Sequence, residues 1–255
     1  MDEQKICEVG ERLYTVNENL SLIQRDRGLS FGTDALLLAA FIPAQKDARA
    51  AELGTGTGII SMLLATRKKF KSITAAEIQP IYATLAERNI ALNRLENTVS
   101  VVTADVREPA KIGTLGSFDA VFSNPPYMKT TAGYANAEDE KNIARHEVHG
   151  DIGDFCAAAA KLLKYGGRFY CVYRTDRLAD LICAMKHNNL EPKRMTYVHA
   201  HKDAPPSMVL TEARLGAGVG LKITRPLLLH TDKSAKSDTE DMKTVYETGL
   251  LFPKE

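Results

Sequence analysis

Residues 52–58 read Glu-Leu-Gly-Thr-Gly-Thr-Gly, three glycines at alternate positions between the short run Ala50-Ala51-Glu52-Leu53 and an apolar stretch of helical length at 59–66. Glycine reaches positive φ and lets the backbone approach a ligand closely, because no Cβ stands in the way. A strand that feeds such a turn and then a helix commits the chain to strand–helix alternation. The rest of the sequence sustains it: 72–77, 99–103, 118–122 and 168–173 read as strands, and 80–92, 155–163 and 177–187 as helices. Pro80 suits a first helical turn, and Gly166-Gly167 is expected to break the 155–163 helix before the next strand. Strands separated by helices form a parallel sheet covered on both faces. The expected fold is therefore α/β, a doubly wound, mostly parallel seven-stranded sheet with helices on both faces. Segments 193–200 and 207–213, on either side of Ala204-Pro205-Pro206, add an antiparallel strand at one edge.

The flanks differ from this core. Residues 13–16 and 20–23 read as short strands, and 35–41 as a helix capped by Thr33 or Asp34 and ended by Pro43. After Pro226 the chain turns polar and ends in a short helix at 242–247. Three parts are expected: 1–48, strands and a helix packed on the core; 49–230, the main domain; and 231–255, a polar tail. Thirty-three Lys and Arg face 32 Asp and Glu, so net charge exerts little long-range pull on nucleic acid, and an RNA partner requires a local patch. Cys7, Cys156, Cys171 and Cys183 show no C-x-x-C pair or metal-ligand spacing, which fits scattered buried thiols in a reducing cytosol. The polar start MDEQKICEVG and the lack of a membrane-length apolar run point to a cytoplasmic protein.

In a doubly wound sheet, ligands bind beyond the carboxyl ends of the strands, where the strand order reverses. The G-x-G-x-G spacing carries Ile59 and Ile60 where a dinucleotide fingerprint wants its last glycine, which weighs against NAD. Glu77 ends the second strand, nineteen positions after Gly58, where a carboxylate accepts hydrogen bonds from ribose hydroxyls. Asp105 ends the third strand, within reach of an adenine amino group.

The fourth strand ends in Asn124-Pro125-Pro126-Tyr127. Two prolines hold φ near about −65° and remove two N–H donors. The Asn124 side-chain carbonyl and the Pro125 backbone carbonyl are then two acceptors suited to the two hydrogens of one –NH2 group. With both hydrogens held, the nitrogen lone pair projects out of the plane toward an electrophile. Tyr127 offers a flat face for a flipped-out base, worth about 1–3 kcal/mol.

These residues resemble the class I methyltransferase family, with E-L-G-T-G-T-G as its first motif and N-P-P-Y as its amino-methylating fourth motif. Phe31-Gly32-Thr33-Asp34-Ala35-Leu36-Leu37-Leu38, Ala144-Arg145-His146-Glu147 and Arg225-Pro226-Leu227 are similar to the bacterial tRNA(Val) adenine-N6-methyltransferase family, over nearly the whole chain. The resemblance implies a Rossmann-like methyltransferase that uses S-adenosyl-L-methionine to methylate N6 of the adenine beside the anticodon in tRNA. It places Thr33, Glu52, Leu53, Gly54, Thr55, Gly56, Gly58, Glu77, Ile78, Asp105, Val106 and Asn124 around the cofactor, and Asn124, Pro125, Pro126 and Tyr127 at the base. Lys129, Arg145 and Arg27 are the expected RNA contacts, with residues 128–142 closing over the base. His146-Glu147-Val148-His149 is H-E-x-H rather than H-E-x-x-H and has no evident third ligand, so no metal is expected. The alternatives are an N-P-P-Y enzyme acting on protein glutamine N5 or another RNA amino group, and a non-catalytic cofactor- or RNA-binding module. The glutamine enzymes carry a helical N-terminal substrate domain, whereas some fifty partly strand-like residues precede the glycine turn here.

Overall fold

The computed structural model describes residues 6–26, 32–126 and 150–252. It opens with a hairpin of β1 (Glu11–Asn17) and β2 (Leu20–Arg25), followed by α1 (Thr33–Phe41). Alternation then runs through β3 (Gln45–Leu53), α2 (Ile59–Thr66), β4 (Phe70–Glu77), α3 (Pro80–Leu92) and β5 (Val99–Thr103). It continues with the one-turn α4 (Pro109–Ile112), β6 (Phe118–Ser123), α5 (Ile152–Leu162), β7 (Leu163–Arg174) and α6 (Leu178–His187). A long hairpin of β8 (Leu190–His199) and β9 (Pro206–Leu215) follows, then the two-residue strands β10 (Lys222–Ile223) and β11 (Leu227–Leu228), and α7 (Glu240–Thr248).

Seven long strands lie in the order β8-β9-β7-β6-β3-β4-β5, and both short strands pair in parallel with β8 at the outer edge. β9 is antiparallel to β7 and to β8, one strand in from that edge. β3 lies between β4 and β6, with Leu53 opposite Ala76 on one side and Ser123 on the other. From β3 the chain steps outward to β4 and β5, then returns to β6 and β7, so the order reverses between β3 and β6. The glycine turn after β3 and the Asn124 segment after β6 therefore emerge side by side.

Both sheet faces are covered, which is why the strands read as nearly continuous apolar runs. Along β7 the side chains alternate: Tyr170 and Val172 enter the core built with α1, α2 and α7, while Phe169, Cys171 and Tyr173 enter the one built with α5 and α6. Leu20 and Leu22 of the hairpin and Met242 and Val245 of α7 are buried in the first of these cores. No described helix is long and apolar enough to cross a membrane.

Several local expectations change. α5 begins at Ile152 rather than 155, because Asp151 and Asp154 form a reciprocal capping box at 3.0 Å in each direction. Gly166 and Gly167 do not separate helix from strand. They lie within β7 at a bulge, where the pairing Phe118–Leu163 gives way to Ala120–Arg168, and Gly166 has φ +79°. Neither Thr33 nor Asp34 caps α1; Gly32 occupies the cap position, and Asp34 is used elsewhere. Cys156 and Cys171 are buried, but Cys183 is exposed. In the basic run 67–71, Lys69 is fully buried. Its ammonium donates to the carbonyls of Ala39 (2.7 Å), Ile42 (2.6 Å) and Gly249 (3.3 Å), which end α1 and α7, and burial pulls its pKa down to about 7.

The hairpin is fastened by two amides one turn apart, Asn89 in the last turn of α3 and Asn93 at its C-cap. Asn93 bonds the N–H (2.9 Å) and C=O (2.7 Å) of Ser21, and Asn89 bonds those of Ile23 (2.6 and 3.1 Å). Asn89 also donates to the carbonyl of Thr57 in the glycine turn at 3.0 Å, linking the hairpin to the site. Asn89→Ala strands one buried N–H and two carbonyls, so urea denaturation should show a loss of about 3 kcal/mol. An unchanged midpoint and slope would contradict this bracing role.

Candidate active site

The first wall of the site is the glycine turn. After Leu53 the N–H groups of Gly54 and Thr55 both donate to the Ala76 carbonyl at 2.9 Å, which draws the turn over the tip of β4. Gly54, Gly56 and Gly58 have φ of +72°, +57° and +87°. A Cβ at Gly54 would stand 3.4 Å from the Phe155 ring, and one at Gly58 would stand 3.4 Å from the Ala86 side chain. Those contacts are ordinary van der Waals separations, so it is the left-handed backbone conformation that favours glycine at these positions.

Glu52 underpins the turn from below. One of its carboxylate oxygens accepts from the Thr55 hydroxyl (2.6 Å), the Ser61 N–H (3.2 Å) and the Ser61 hydroxyl. Its other oxygen is buried with no hydrogen-bond partner among the described residues. Full burial raises its pKa to about 7 against the opposing pull of the Ser61 and Thr55 bonds.

Above the turn, a cleft is lined by Gly54, Gly56, Ala76, Glu77, Ile78, Gln79, Ala104, Val106, Asn124, Pro126 and Phe155. Of the residues expected around a cofactor, Gly54, Gly56, Glu77, Ile78, Val106 and Asn124 meet there. Glu77 is oriented by backbone: one oxygen accepts from Gly56 N–H and the other from Gln79 N–H, each at 2.9 Å. Each carboxylate oxygen keeps a further lone pair for a hydroxyl.

The other expected residues sit differently. Glu52, Leu53 and Thr55 are buried beneath the cleft, Gly58 packs against α3, and Thr33 lies exposed in the first turn of α1. Asp105 does not line the cleft; its carboxylate pairs with Arg107 at 2.5–3.0 Å. Asp105 lies two residues beyond the end of β5 rather than ending it, and its neighbours Ala104 and Val106 line the cleft instead. Pro125 is buried beside Asn124. Tyr127, Lys129, Arg145, Arg27, the 128–142 segment and the 146–149 histidines lie outside the described residues. Among the described residues, no three His, Cys, Asp or Glu side chains form a metal-sized cluster.

Ala76, Gln79, Ala104 and Phe155 of the cleft, and Asp34 beside it, were not singled out from sequence as site residues. Phe155 on α5 floors the cleft against Gly54; its apolar position in a helix gave only a core signal. Asp34 on α1 accepts a 2.8 Å hydrogen bond from the Asn124 amide nitrogen. The stretch Gly32-Thr33-Asp34 marked this segment, but nothing in it specified the contact. At the tips of the same strands, the Ser123 hydroxyl donates to the Leu53 carbonyl at 2.7 Å, so β3 and β6 are joined where the site begins.

The arrangement provides a backbone-held carboxylate for a ribose, apolar walls for a flat ring and a half-buried carboxamide at the rim. Comparison with known proteins agrees. The methyltransferase small-domain profile matches residues 26–189. A Porphyromonas gingivalis protein named tRNA1(Val) (adenine(37)-N6)-methyltransferase is 31% identical over 72% of this chain and 73% of its own length. A Bacteroides fragilis protein of the same name is 30% identical over 71% and 76%, and one from Aeromonas salmonicida is 27% identical over 85% and 89%. Among solved structures, a predicted O-methyltransferase from Agrobacterium tumefaciens superposes with a TM-score of 0.70 at 23% identity, covering 86% of this chain and 98% of that one. TYW2 from M. jannaschii in complex with AdoMet gives 0.55 at 18% identity, covering 82% and 87%. These structural likenesses show the fold.

Glu52 yields a test by pH. The unfolded chain ionises this carboxyl near its ordinary pKa of 4.5, whereas the folded chain holds its proton to about 7. Between those values the folded state binds more protons, so stability falls as pH rises. Glu52→Gln removes that term while keeping an acceptor for Thr55 and Ser61. Its stability relative to wild type should rise across this window by about 3 kcal/mol, at 1.36 kcal/mol per pH unit. A difference that stays flat with pH would show that the carboxylate is already charged in the folded protein.

Proposed function

The chain belongs to the methyltransferase small-domain family and is an S-adenosyl-L-methionine-dependent methyltransferase, and from that premise we propose that it methylates N6 of an adenine in tRNA, beside the anticodon of a valine tRNA. The observation that carries the proposal is the Asn124 carboxamide at the rim of the cleft, one residue beyond the end of β6 and beside the glycine turn. The names of the curated relatives supply the tRNA and the position.

The residues present fit the cofactor. Gly54 and Gly56 line the cleft in the left-handed conformation that favours glycine, so the turn that approaches a ligand is kept bare. Glu77, held by two N–H groups, accepts from ribose hydroxyls, and Ile78, Val106 and Phe155 enclose an adenine ring. When bound, S-adenosyl-L-methionine supplies an electrophilic methyl carbon on a sulfonium and departs as the neutral thioether.

The protein's own contribution is orientation and electrostatics. An adenine amino group is a poor nucleophile because its lone pair is delocalised into the ring. The Asn124 side-chain oxygen and the Pro125 carbonyl accept its two hydrogens, favouring a pyramidal nitrogen whose lone pair projects toward the methyl carbon. The new N–C bond forms from that lone pair, and the nitrogen becomes positively charged. The same two acceptors stabilise this charge until one of the held protons is released to water. No step demands a histidine base.

Asn124→Ala should leave S-adenosyl-L-methionine affinity within about threefold in calorimetry while lowering transfer at least about 100-fold. Nucleoside mass spectrometry of tRNA treated with the wild-type chain should reveal N6-methyladenosine. Methyl incorporation into protein glutamine alone, or full turnover by Asn124→Ala, would refute the assignment.

A further inference from the structure

We propose that Asp34 is a positioning residue for this site: its carboxylate holds the Asn124 carboxamide in the one orientation that presents an oxygen to the target amino group. This rests on the role given to Asn124 above and extends it to a residue ninety positions earlier in the chain.

An asparagine carboxamide has two ends of opposite character and a broad terminal torsion, so by itself it presents either end to a ligand. A target –NH2 meets a hydrogen-bond acceptor in one orientation and a second donor in the other. The amide nitrogen of Asn124 donates to Asp34 Oδ2 at 2.8 Å. A carboxylate only accepts, so the –NH2 end is committed to Asp34 and the oxygen faces the opposite way.

Asp34 is itself held from three sides. Its other oxygen, Oδ1, accepts the N–H of Ala35 at 2.9 Å. It lies in the first turn of α1, where unpaired N–H groups and the helix dipole favour negative charge. α1 cannot yield, because Leu37, Leu38 and Phe41 are buried in the core beneath it. Gly32 shows what the arrangement requires of the sequence. Its φ is −113°, open to any residue, so conformation does not demand glycine. A Cβ there would stand 2.8 Å from Asp34 Oδ1, so the missing side chain makes room for the carboxylate.

The charge also acts through the amide. A negative group behind the carboxamide nitrogen polarises it and strengthens the oxygen as an acceptor, most of all once the target nitrogen has become positive. Asp34 thus works through Asn124 without touching substrate.

The test uses the full chain, with S-adenosyl-L-methionine affinity from calorimetry and kcat and KM on tRNA. Asp34→Ala should lower kcat about 100-fold with cofactor affinity within about threefold, and Asp34→Asn, which keeps an acceptor oxygen, should stay within about tenfold of wild type. Asp34→Ala combined with Asn124→Ala should be no slower than Asn124→Ala alone, because both remove the same interaction. The exchange Asp34→Asn with Asn124→Asp reverses donor and acceptor across the contact. It should exceed Asn124→Asp alone by about tenfold or more, a rescue that a purely structural residue would not give. If Asp34→Ala fails to fold, this exchange decides the question. Wild-type kcat in Asp34→Ala, multiplicative losses in the double variant, or a folded exchange without rescue would overturn the inference. A wild-type chain that methylates no tRNA would instead overturn the function on which it rests.

Discussion

One buried carboxylate governs the geometry on which the site depends. Glu52, the penultimate residue of β3, accepts hydrogen bonds from Thr55 within the glycine turn and from Ser61 in the helix that follows. It thereby closes strand, turn and helix into one unit. The positive φ values of Gly54, Gly56 and Gly58 are the conformation that this closure demands. The same turn presents the Gly56 N–H to Glu77, so one buried acid orients a second acid at the cleft surface. A carboxylate held away from water in this way retains its proton toward neutral pH, a cost that the turn's hydrogen bonds only partly offset.

A second constraint is topological. Because the strand order reverses between β3 and β6, the glycine turn and Asn124 leave the sheet at adjacent positions, joined by the Ser123–Leu53 hydrogen bond. The acceptor side of the site therefore lies against the cofactor side without any long loop to bring them together. α1, which precedes the sheet in the chain, reaches across to grip Asn124 through Asp34. The hairpin ahead of α1 is tied through Asn89 to the opposite side of the same turn. β1, β2 and α1 are thus part of the machinery that shapes the cleft.

Most of the architecture was legible in the sequence because it rests on local signals. Period-2 and period-3.6 patterns placed the strands at 99–103 and the helices at 59–66 and 80–92 at their observed bounds. The glycine turn, Glu77 and Asn124 were legible because each marks the end of a strand. What was not legible depends on contacts between distant segments. Asp34 resembled a helix cap until the fold brought Asn124 to it. Glu52 was expected to touch a ligand, yet strand alternation turns it into the core beneath the turn. Asp105 lies in the turn beyond β5 and pairs with Arg107, leaving its apolar neighbours to line the cleft. Gly166 and Gly167 read as a break because a bulge and a break use the same residue, and only the pairing of β6 with β7 separates the two.

The central claim is that two oxygens at the tip of β6 hold the amino group that is methylated. A crystal structure of the protein with S-adenosylhomocysteine and a tRNA anticodon stem-loop tests it most directly. The account predicts a flipped adenine whose N6 lies within about 3 Å of both the Asn124 side-chain oxygen and the Pro125 carbonyl. It also predicts that the Asn124 amide nitrogen remains on Asp34. An adenine bound with N6 away from those oxygens, or an Asn124 amide nitrogen turned toward the base, would contradict it.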